Sequence, residues 1–135
     1  METIFSKIIA REIPADIVYE DEQVLAFLDI NPSNKGHALV IPKKPFTNIF
    51  DGDAGVLGHM MRVAQKIARA LQESVGAEGV NIIMNNEAVA GQEVMHAHLH
   101  VIPRYIDDNV FQPAQHTTYE EGESAEVAAK IKSSL

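Results

Sequence analysis

The sequence predicts an α+β fold in which one long helix packs on one face of a sheet. Segment 53–75 places apolar residues on one helical face and basic or amide side chains on the opposite face. The other ordered segments are short, and turn signals separate several that are typical of strands. Strands therefore outnumber helices, and the short turns favour antiparallel pairing.

The first third of the chain predicts a short helix followed by three strands. IFSKIIAREIP indicates a helix with Phe5, Ile8 and Ile9 on one side, stopped before Pro14. The segments DIVYE and QVLAFLD flank an acidic turn and predict a hairpin. HALVIP follows the turn signal NPSNKG and predicts another strand.

The long helix is predicted to begin at Asp51 or Asp53, since either side chain can cap it, and to end at Gly76. Met60 and Met61 are both expected in its core. Beyond it, GVNIIMN predicts a strand, NEAVAGQEV a loop and HAHLHVI a further strand. A terminal helix is expected from about Ser124.

Length and composition predict a single domain over residues 1–135, with a polar tail over 106–135. The absence of a long apolar run argues against a membrane span or membrane partner. Cysteine is absent, which excludes disulfides and thiol catalysis and suits a cytoplasmic location.

The charge balance argues against a nucleic-acid partner. The formal net charge is −8 and the pI is near 5.1, so the chain should repel a polynucleotide backbone. The sequence predicts one local basic patch, because Lys35, Lys43 and Lys44 bracket His37. Such a patch could hold a few phosphates but could not track a polymer.

The stretch MHAHLHVIPR places His96, His98 and His100 at alternate positions. On a strand these side chains share one face with Ile102, and Ala97, Leu99 and Val101 form the other face. Residues i and i+2 lie about 6.5–7 Å apart and i and i+4 about 13 Å apart. Two of the histidines could therefore share a zinc ion, but the third could not join them on a regular strand.

A catalytic network on the same face is another interpretation. Neutral imidazole is a competent nucleophile near pH 7, provided that its second nitrogen keeps a proton held by an acceptor. Flanking histidines could then donate hydrogen bonds to phosphate oxygens. Scattered histidines on a solvated strand are the third interpretation, and their register over an apolar face makes it the weakest.

The pattern of three alternate histidines with apolar residues between and after them resembles the motif of the histidine triad (HIT) superfamily. IFSKIIAREIPADIVYEDEQVLAFLDINPSNKGHALVIPKK is similar to the N-terminal part of its Hint branch. AGQEVMHAHLHVIPR is similar to the segment shared by bacterial HIT hydrolases and the fragile-histidine-triad branch. The resemblance covers about residues 3–105, which it implies are the core of the domain. It implies a HIT-like fold with a five-stranded antiparallel sheet, one long helix and short terminal helices, forming a homodimer that binds purine nucleotides.

The resemblance also implies roles for individual residues. By position, His98 is the nucleophile that takes up the nucleotidyl group. His100 and Gln92 correspond to residues that contact phosphate oxygens or the leaving group, and His96 and His37 support the histidine network.

Substrate-binding roles are implied in the same way. Asp29 falls where a carboxylate holds the ribose hydroxyls, and Asn85 where an asparagine approaches the phosphate. An apolar purine pocket is expected from the side chains of Phe5, Ile8, Ile13, Phe27, Ile30 and Leu39.

Two departures from the family pattern affect the expected chemistry. Many bacterial members carry a Cys-x-x-Cys and a further histidine that bind structural zinc, whereas this chain has Thr3, Ser6 and Pro45 at those positions. We therefore expect no metal and no cofactor. Glu93 replaces a serine or threonine that follows the glutamine in some branches, so a hydroxyl cannot protonate the leaving group from that position.

The favoured function is hydrolysis of purine nucleoside phosphoramidates or adenylylated compounds at the α-phosphorus, through a covalent nucleotidyl-histidine. Three alternatives remain: a dinucleoside polyphosphate hydrolase, a non-catalytic nucleotide-binding module, and a metal-binding β protein.

Overall fold

A computed structural model describes residues 2–111 and 114–135 and contains a five-stranded antiparallel sheet, as predicted. The strand order across the sheet is β1-β2-β3-β5-β4. The strands are β1 (Ile17–Glu20), β2 (Val24–Leu28), β3 (Ala38–Pro42), β4 (Gly79–Ile83) and β5 (Leu99–Arg104). The helices are α1 (Ile4–Ile9), α2 (Ala54–Ser74) and α3 (Glu123–Ser134), with a single 3₁₀ turn at Ala88–Ala90.

Helix α1 is shorter than the stretch of sequence that indicates it, and Thr3 begins it with a capping box. The Thr3 hydroxyl oxygen accepts hydrogen bonds from the backbone N–H groups of Phe5 and Ser6, and the Ser6 hydroxyl accepts one from Thr3 N–H. The helix ends at Ile9, well before Pro14, because Arg11 adopts a left-handed conformation with φ +61°.

The long helix α2 has the predicted position, and its cap is Asp53. The Asp53 carboxylate accepts a hydrogen bond from Val56 N–H, whereas Asp51 instead accepts from backbone N–H groups in the preceding loop. The prediction that both methionines belong to the core is wrong for one of them. Met60 is fully buried, but Met61 is 47% exposed, because one residue rotates a helical side chain by about 100°.

The sheet buries a different set of side chains on each face. One face packs against α2 through Val24, Ala26, Ala38, Val40, Leu99 and Val101. The opposite face packs beneath α1 through Leu25, Phe27, Leu39 and Ile41. Because side chains alternate along each strand, β2 and β3 contribute to both cores and are buried almost throughout.

Strand β5 begins later than predicted. The histidine stretch was expected to be a strand from His96, but regular pairing begins at Leu99 and continues to Arg104. The preceding backbone makes a different contact, since Ala97 N–H donates to the carbonyl of Phe46 at 2.8 Å. His96 and His98 therefore precede the strand, so the distance between their rings is not fixed by regular strand geometry.

The tail contains helix α3, which begins at Glu123, close to the start predicted at about Ser124. None of its residues is buried, and Gly122, with φ +79°, directly precedes it. Within residues 2–111 and 114–135, no helix combines the length and apolar composition needed to cross a membrane.

Candidate active site

Strand register brings the predicted site residues together on the α1 face of the sheet. Phe27 pairs with Leu39, Leu39 pairs with His100, and His100 pairs with Ile83, which forms one row across four strands. Residues two positions from this row point to the same side of the sheet. His37, Asp29, His98 and Asn85 all occupy such positions.

The ring of His98 is ordered by its own backbone. Its Nδ1 lies 2.8 Å from the carbonyl oxygen of His96. A carbonyl oxygen only accepts, so Nδ1 carries the proton and Nε2 carries the free lone pair. This is the tautomer that a nucleophilic imidazole requires.

A second chain of hydrogen bonds orders His37 and His100. The backbone N–H of Ser33 donates to His37 Nδ1 at 3.0 Å, so the proton of the neutral His37 ring lies on Nε2. That Nε2 lies 2.9 Å from His100 Nδ1 and donates to it. The proton of neutral His100 is then on its Nε2, which leaves this N–H free to donate to a ligand.

His96 is a structural member of the cluster. Its Nε2 donates to the carbonyl oxygen of Pro42 at 2.8 Å, so its Nδ1 is an acceptor. The Thr3 hydroxyl lies 3.3 Å from that Nδ1 and donates to it. His96 is fully buried and links the start of α1 to the end of β3.

The four histidines of this cluster are held neutral at pH 7. Burial lowers the pKa of His37, His96 and His98 below the usual 6.5, because a buried imidazolium loses its hydration. Burial, followed by the positive charges that His98 and His37 would carry, lowers the pKa of His100 to about 4. The carboxylate of Asp29 opposes these shifts at His37, His98 and His100, but does not reverse them.

Two adjoining cavities open beside the histidines. The first, of about 360 Å³, is lined by His37, His98, His100, Asn85 and Asp29, among other residues. The second, of about 390 Å³, is mainly apolar, and its wall includes all the residues expected around a purine: Phe5, Ile8, Ile13, Phe27, Ile30 and Leu39. Both volumes fall within the usual range for small-molecule sites.

Phe5 and Asp29 lie where the two cavities meet. The Phe5 ring stands edge-on to the His98 ring, with centroids 5.1 Å apart. One Asp29 carboxylate oxygen accepts from Asn31 N–H at 2.9 Å, and the other lies 3.7 Å from His37 Nε2. Asp29 thus forms an Asx turn and also presents a carboxylate to both cavities.

Gln92 does not occupy the predicted position in the site. It is buried and does not line the histidine cavity; its side-chain amide bonds within the protein. The amide nitrogen donates to the carbonyls of Thr47 and Val94, and the amide oxygen accepts from Asn48 and from Glu87 N–H. A carboxamide has two donors and two acceptor lone pairs, so no group remains for a phosphate. The expected direct contact is therefore corrected to support of the loop before the histidines.

The predicted basic patch does not form at the site either. Lys43 pairs with Glu20 at 2.7 Å, and Lys35 and Lys44 are not part of the cavity wall. Among the described residues, the charged side chains that line the histidine cavity are the carboxylates of Asp29 and Glu93.

The residues at the family's zinc positions do not fit a zinc ion. Structural zinc is bound by thiolate and imidazole ligands, whereas Thr3 and Ser6 offer hydroxyls that are already bonded in the helix cap, and Pro45 offers no side-chain ligand. A different group, Asp29, His37 and His100, has ligand atoms within 4.8 Å of one another. There, a metal would have to displace the hydrogen bond between the two rings.

Sequence reasoning missed three groups on which the site depends. Thr3 was noted only for replacing a cysteine, yet its hydroxyl sets the orientation of His96. Ser33 acts through its backbone N–H, which no side-chain pattern can reveal. Asn48 is a buried amide that holds Gln92, and its burial depends on packing that local sequence does not show.

We expect Thr3→Val to lower the free energy of unfolding by about 1–2 kcal/mol, since it removes a helix cap and a hydrogen bond to a buried ring. Thr3→Ser, the matched control, keeps the hydroxyl and should cost less. Urea unfolding at pH 7 measures both. Equal losses in the two variants would contradict the role of the hydroxyl.

The lowered histidine pKa values predict an acid limit for any reaction that needs neutral His98. The midpoint of the acid-side decline in activity should lie below pH 6.5, because burial lowers the pKa of His98 below that value. Asp29→Asn should move the decline to lower pH, since the lost carboxylate favoured the protonated ring. The profile of kcat/KM measures both effects. A decline centred at or above pH 6.5 would show that burial does not control this group.

Comparisons with known proteins identify the family of the chain. The family model described as HIT domain matches residues 10–107. The purine nucleoside phosphoramidase of Escherichia coli (strain K12) is 48% identical over 104 residues, which are 75% of this chain and 86% of the relative.

Solved structures extend the similarity to the whole chain. A crystal structure of a HIT-family member from Bacillus subtilis superposes with a TM-score of 0.92 at 39% identity, covering 100% of this chain and 98% of the other. A zinc-bound histidine triad protein from Mycobacterium smegmatis superposes with a TM-score of 0.78 at 36% identity, covering 98% and 96%. The match to the family model and the 48% identity to a relative over most of both chains show that this chain belongs to the HIT family.

Proposed function

We propose that the chain hydrolyses phosphoramidates of purine nucleoside monophosphates through a nucleotidyl group carried on His98 Nε2. The observation that carries the proposal is the tautomer of His98. Its Nδ1 proton is bound to the His96 carbonyl, so the other nitrogen has a free lone pair, and the ring belongs to the wall of the histidine cavity. The sequence relationship to a purine nucleoside phosphoramidase supports the substrate class.

The reaction takes place in two displacements at phosphorus. In the first, His98 Nε2 forms a bond to the α-phosphorus and the bond from phosphorus to the leaving nitrogen breaks. The leaving nitrogen takes a proton from water and departs as an amine. In the second, a water oxygen attacks the same phosphorus, the bond to Nε2 breaks, and a proton passes to solvent, which yields the nucleoside monophosphate and neutral His98.

His96 and His100 stabilise the charge that develops in each displacement. Once Nε2 is bonded to phosphorus, the His98 ring becomes cationic, and the His96 carbonyl stabilises it through the Nδ1 proton. The free Nε2–H of His100 donates to a phosphoryl oxygen, and His37 holds the ring of His100 in that orientation. Because these groups are already aligned, little reorganisation accompanies the reaction.

The adjoining cavity supplies nucleoside recognition. Its apolar wall fits the faces of a purine, and Phe5 separates the base from the reacting histidine. Asp29 at the junction accepts hydrogen bonds from the ribose hydroxyls, which places the phosphate beside His98. No metal takes part in these steps.

We also propose a homodimer formed through the free edge of β4. This strand is at the end of the sheet with one side unpaired by any described residue, and an exposed strand edge favours pairing with another chain. Ile82 on this strand is 38% exposed and pairs with Val101, so it lies on the α2 face of the sheet. Pairing of two copies would bury this edge. The single domain over 1–135 and the cytoplasmic location stay predictions.

We expect His98→Ala to lower the turnover of adenosine 5′-phosphoramidate by at least about 10³-fold, because the nucleophile is lost. Adenosine monophosphate should still bind with an affinity of the same order, since the base cavity is unchanged. Single-turnover kinetics and mass spectrometry of the quenched wild-type enzyme test for the nucleotidyl adduct.

The matched control is His59→Ala, which removes a histidine from α2 on the opposite face of the sheet. It should keep both turnover and adduct. Full activity of the His98 variant would refute the assigned nucleophile. Comparing the rate on adenosine 5′-phosphoramidate with the rate on a diadenosine polyphosphate would show which hydrolase activity is favoured. A wild-type protein that binds nucleotide without forming an adduct would be a binding module.

For the homodimer, we expect Ile82→Glu to convert the protein to a monomer at micromolar concentration, because it places a charge in the proposed interface. Val18→Glu is the control, since Val18 is 50% exposed on β1 at the opposite edge of the sheet. Light scattering after size-exclusion chromatography gives the mass of each. A monomeric wild type, or dissociation by the control instead, would contradict this interface.

A further inference from the structure

We propose that Glu93 selects leaving groups that carry a positive charge, so that the preferred substrates are phosphoramidates of diamines or of other amines bearing a second, cationic group. This inference rests on the proposed function and specifies its substrate class. It concerns the amine side of the scissile bond, which is recognised by neither the apolar cavity nor Asp29.

The position of Glu93 is the first support. Its side chain lines the same cavity as His98 and His100, and it lies just after the turn at Gly91, which has φ +94°. Glu93 is in the wall of the histidine cavity but not in the wall of the nucleoside cavity, which instead includes Ile8 and Ile13. With the nucleoside in its cavity, the leaving group therefore departs on the side of the carboxylate.

The second support is that the Glu93 carboxylate has no partner within the described part of the chain. It takes part in none of the hydrogen bonds or ion pairs found there, while the neighbouring Gln92 has its whole amide satisfied by protein groups. The side chain is exposed, so its charge costs little to maintain and stays free to meet a ligand.

The third support is the sign of the charges around the cavity. The charged side chains in its described wall are Glu93 and Asp29, and burial keeps the histidines neutral. An anionic leaving group such as a nucleoside diphosphate would meet a carboxylate with no compensating lysine or arginine. A neutral amine would be tolerated, and an ammonium group two to four carbons from the scissile nitrogen would be attracted.

The size of the effect follows from the exposure of Glu93. A solvent-exposed ion pair contributes up to about 1 kcal/mol, which corresponds to about a fivefold difference in kcat/KM. The preference should weaken as salt rises, because exposed charges are screened.

The experiment compares three adenosine 5′-phosphoramidates of similar size: those of 1,3-diaminopropane, n-butylamine and 4-aminobutanoate. The readout is the ratio of kcat/KM for the cationic compound to that for the neutral one, which cancels any loss common to both. Wild type should give a ratio of about five and a lower value for the anionic compound. Glu93→Gln should reduce the ratio to about one, and Glu93→Lys should invert it.

Glu22→Gln is the matched control, since it removes the same charge from an exposed position in the turn between β1 and β2, outside the cavity. It should keep the wild-type ratio. A wild-type ratio of one, a ratio that persists in Glu93→Gln, or a ratio lost in Glu22→Gln would each overturn the proposal.

Failure of the proposed function would be recognised separately. Turnover of the unsubstituted adenosine phosphoramidate tests the hydrolase activity alone, since its leaving group is ammonia. The dissociation constants of the cationic and neutral compounds, measured by calorimetry on His98→Ala with and without Glu93→Gln, test Glu93 without turnover. Equal constants for the two compounds in His98→Ala would refute charge selection even if the enzyme hydrolyses every phosphoramidate.

Discussion

The hydrogen bond from His98 Nδ1 to the carbonyl of His96 is the constraint on which the site depends. A carbonyl cannot donate, so the bond decides which ring nitrogen keeps its proton and which one can attack. The same logic applies to His37, whose Nδ1 accepts from a backbone N–H and which therefore donates to His100. Backbone groups thus set the proton arrangement of the cluster, and no ionised partner is needed.

The two faces of the sheet divide stability from chemistry. Helix α2 covers one face with an apolar core that includes side chains of β3 and β5. On the other face, α1 is small and leaves room for two cavities beside the histidines. Thr3 connects α1 to the histidines, since its hydroxyl caps the helix and also bonds to His96. The local order of α1 and the orientation of the first triad histidine are therefore coupled.

The electrostatics of the site are unusual for a protein that handles phosphate. The free Nε2–H of neutral His100 takes the place of lysine or arginine, and the only charged groups in the described part of the cavity wall are carboxylates. Hydrogen-bond donors that carry no net charge can hold phosphoryl oxygens without binding free polyphosphate tightly. That balance suits a site in which the nucleotide is held by its base and ribose and the leaving group is discriminated by charge.

Much of the fold could be predicted from the sequence because its signals are local. The amphipathic pattern of α2, the hairpin of β1 and β2, and the alternating histidines each depend on residues a few positions apart. The resemblance to a family added the residues of the nucleoside cavity, which composition alone would have assigned to a core. The delayed start of β5 was not predictable, since it depends on a backbone contact between Ala97 and Phe46.

The sequence by itself determined which chemical groups the site contains: the three alternate histidines, His37, two carboxylates, and no cysteine for a thiolate metal site. Tertiary structure decided what each group does. It turned the amide of Gln92 inward, moved the lysines away from the cavity and placed Thr3 against a histidine 93 residues distant. The physical reason is that a proton's position and a side chain's partner depend on groups brought close only by packing, which local sequence does not encode.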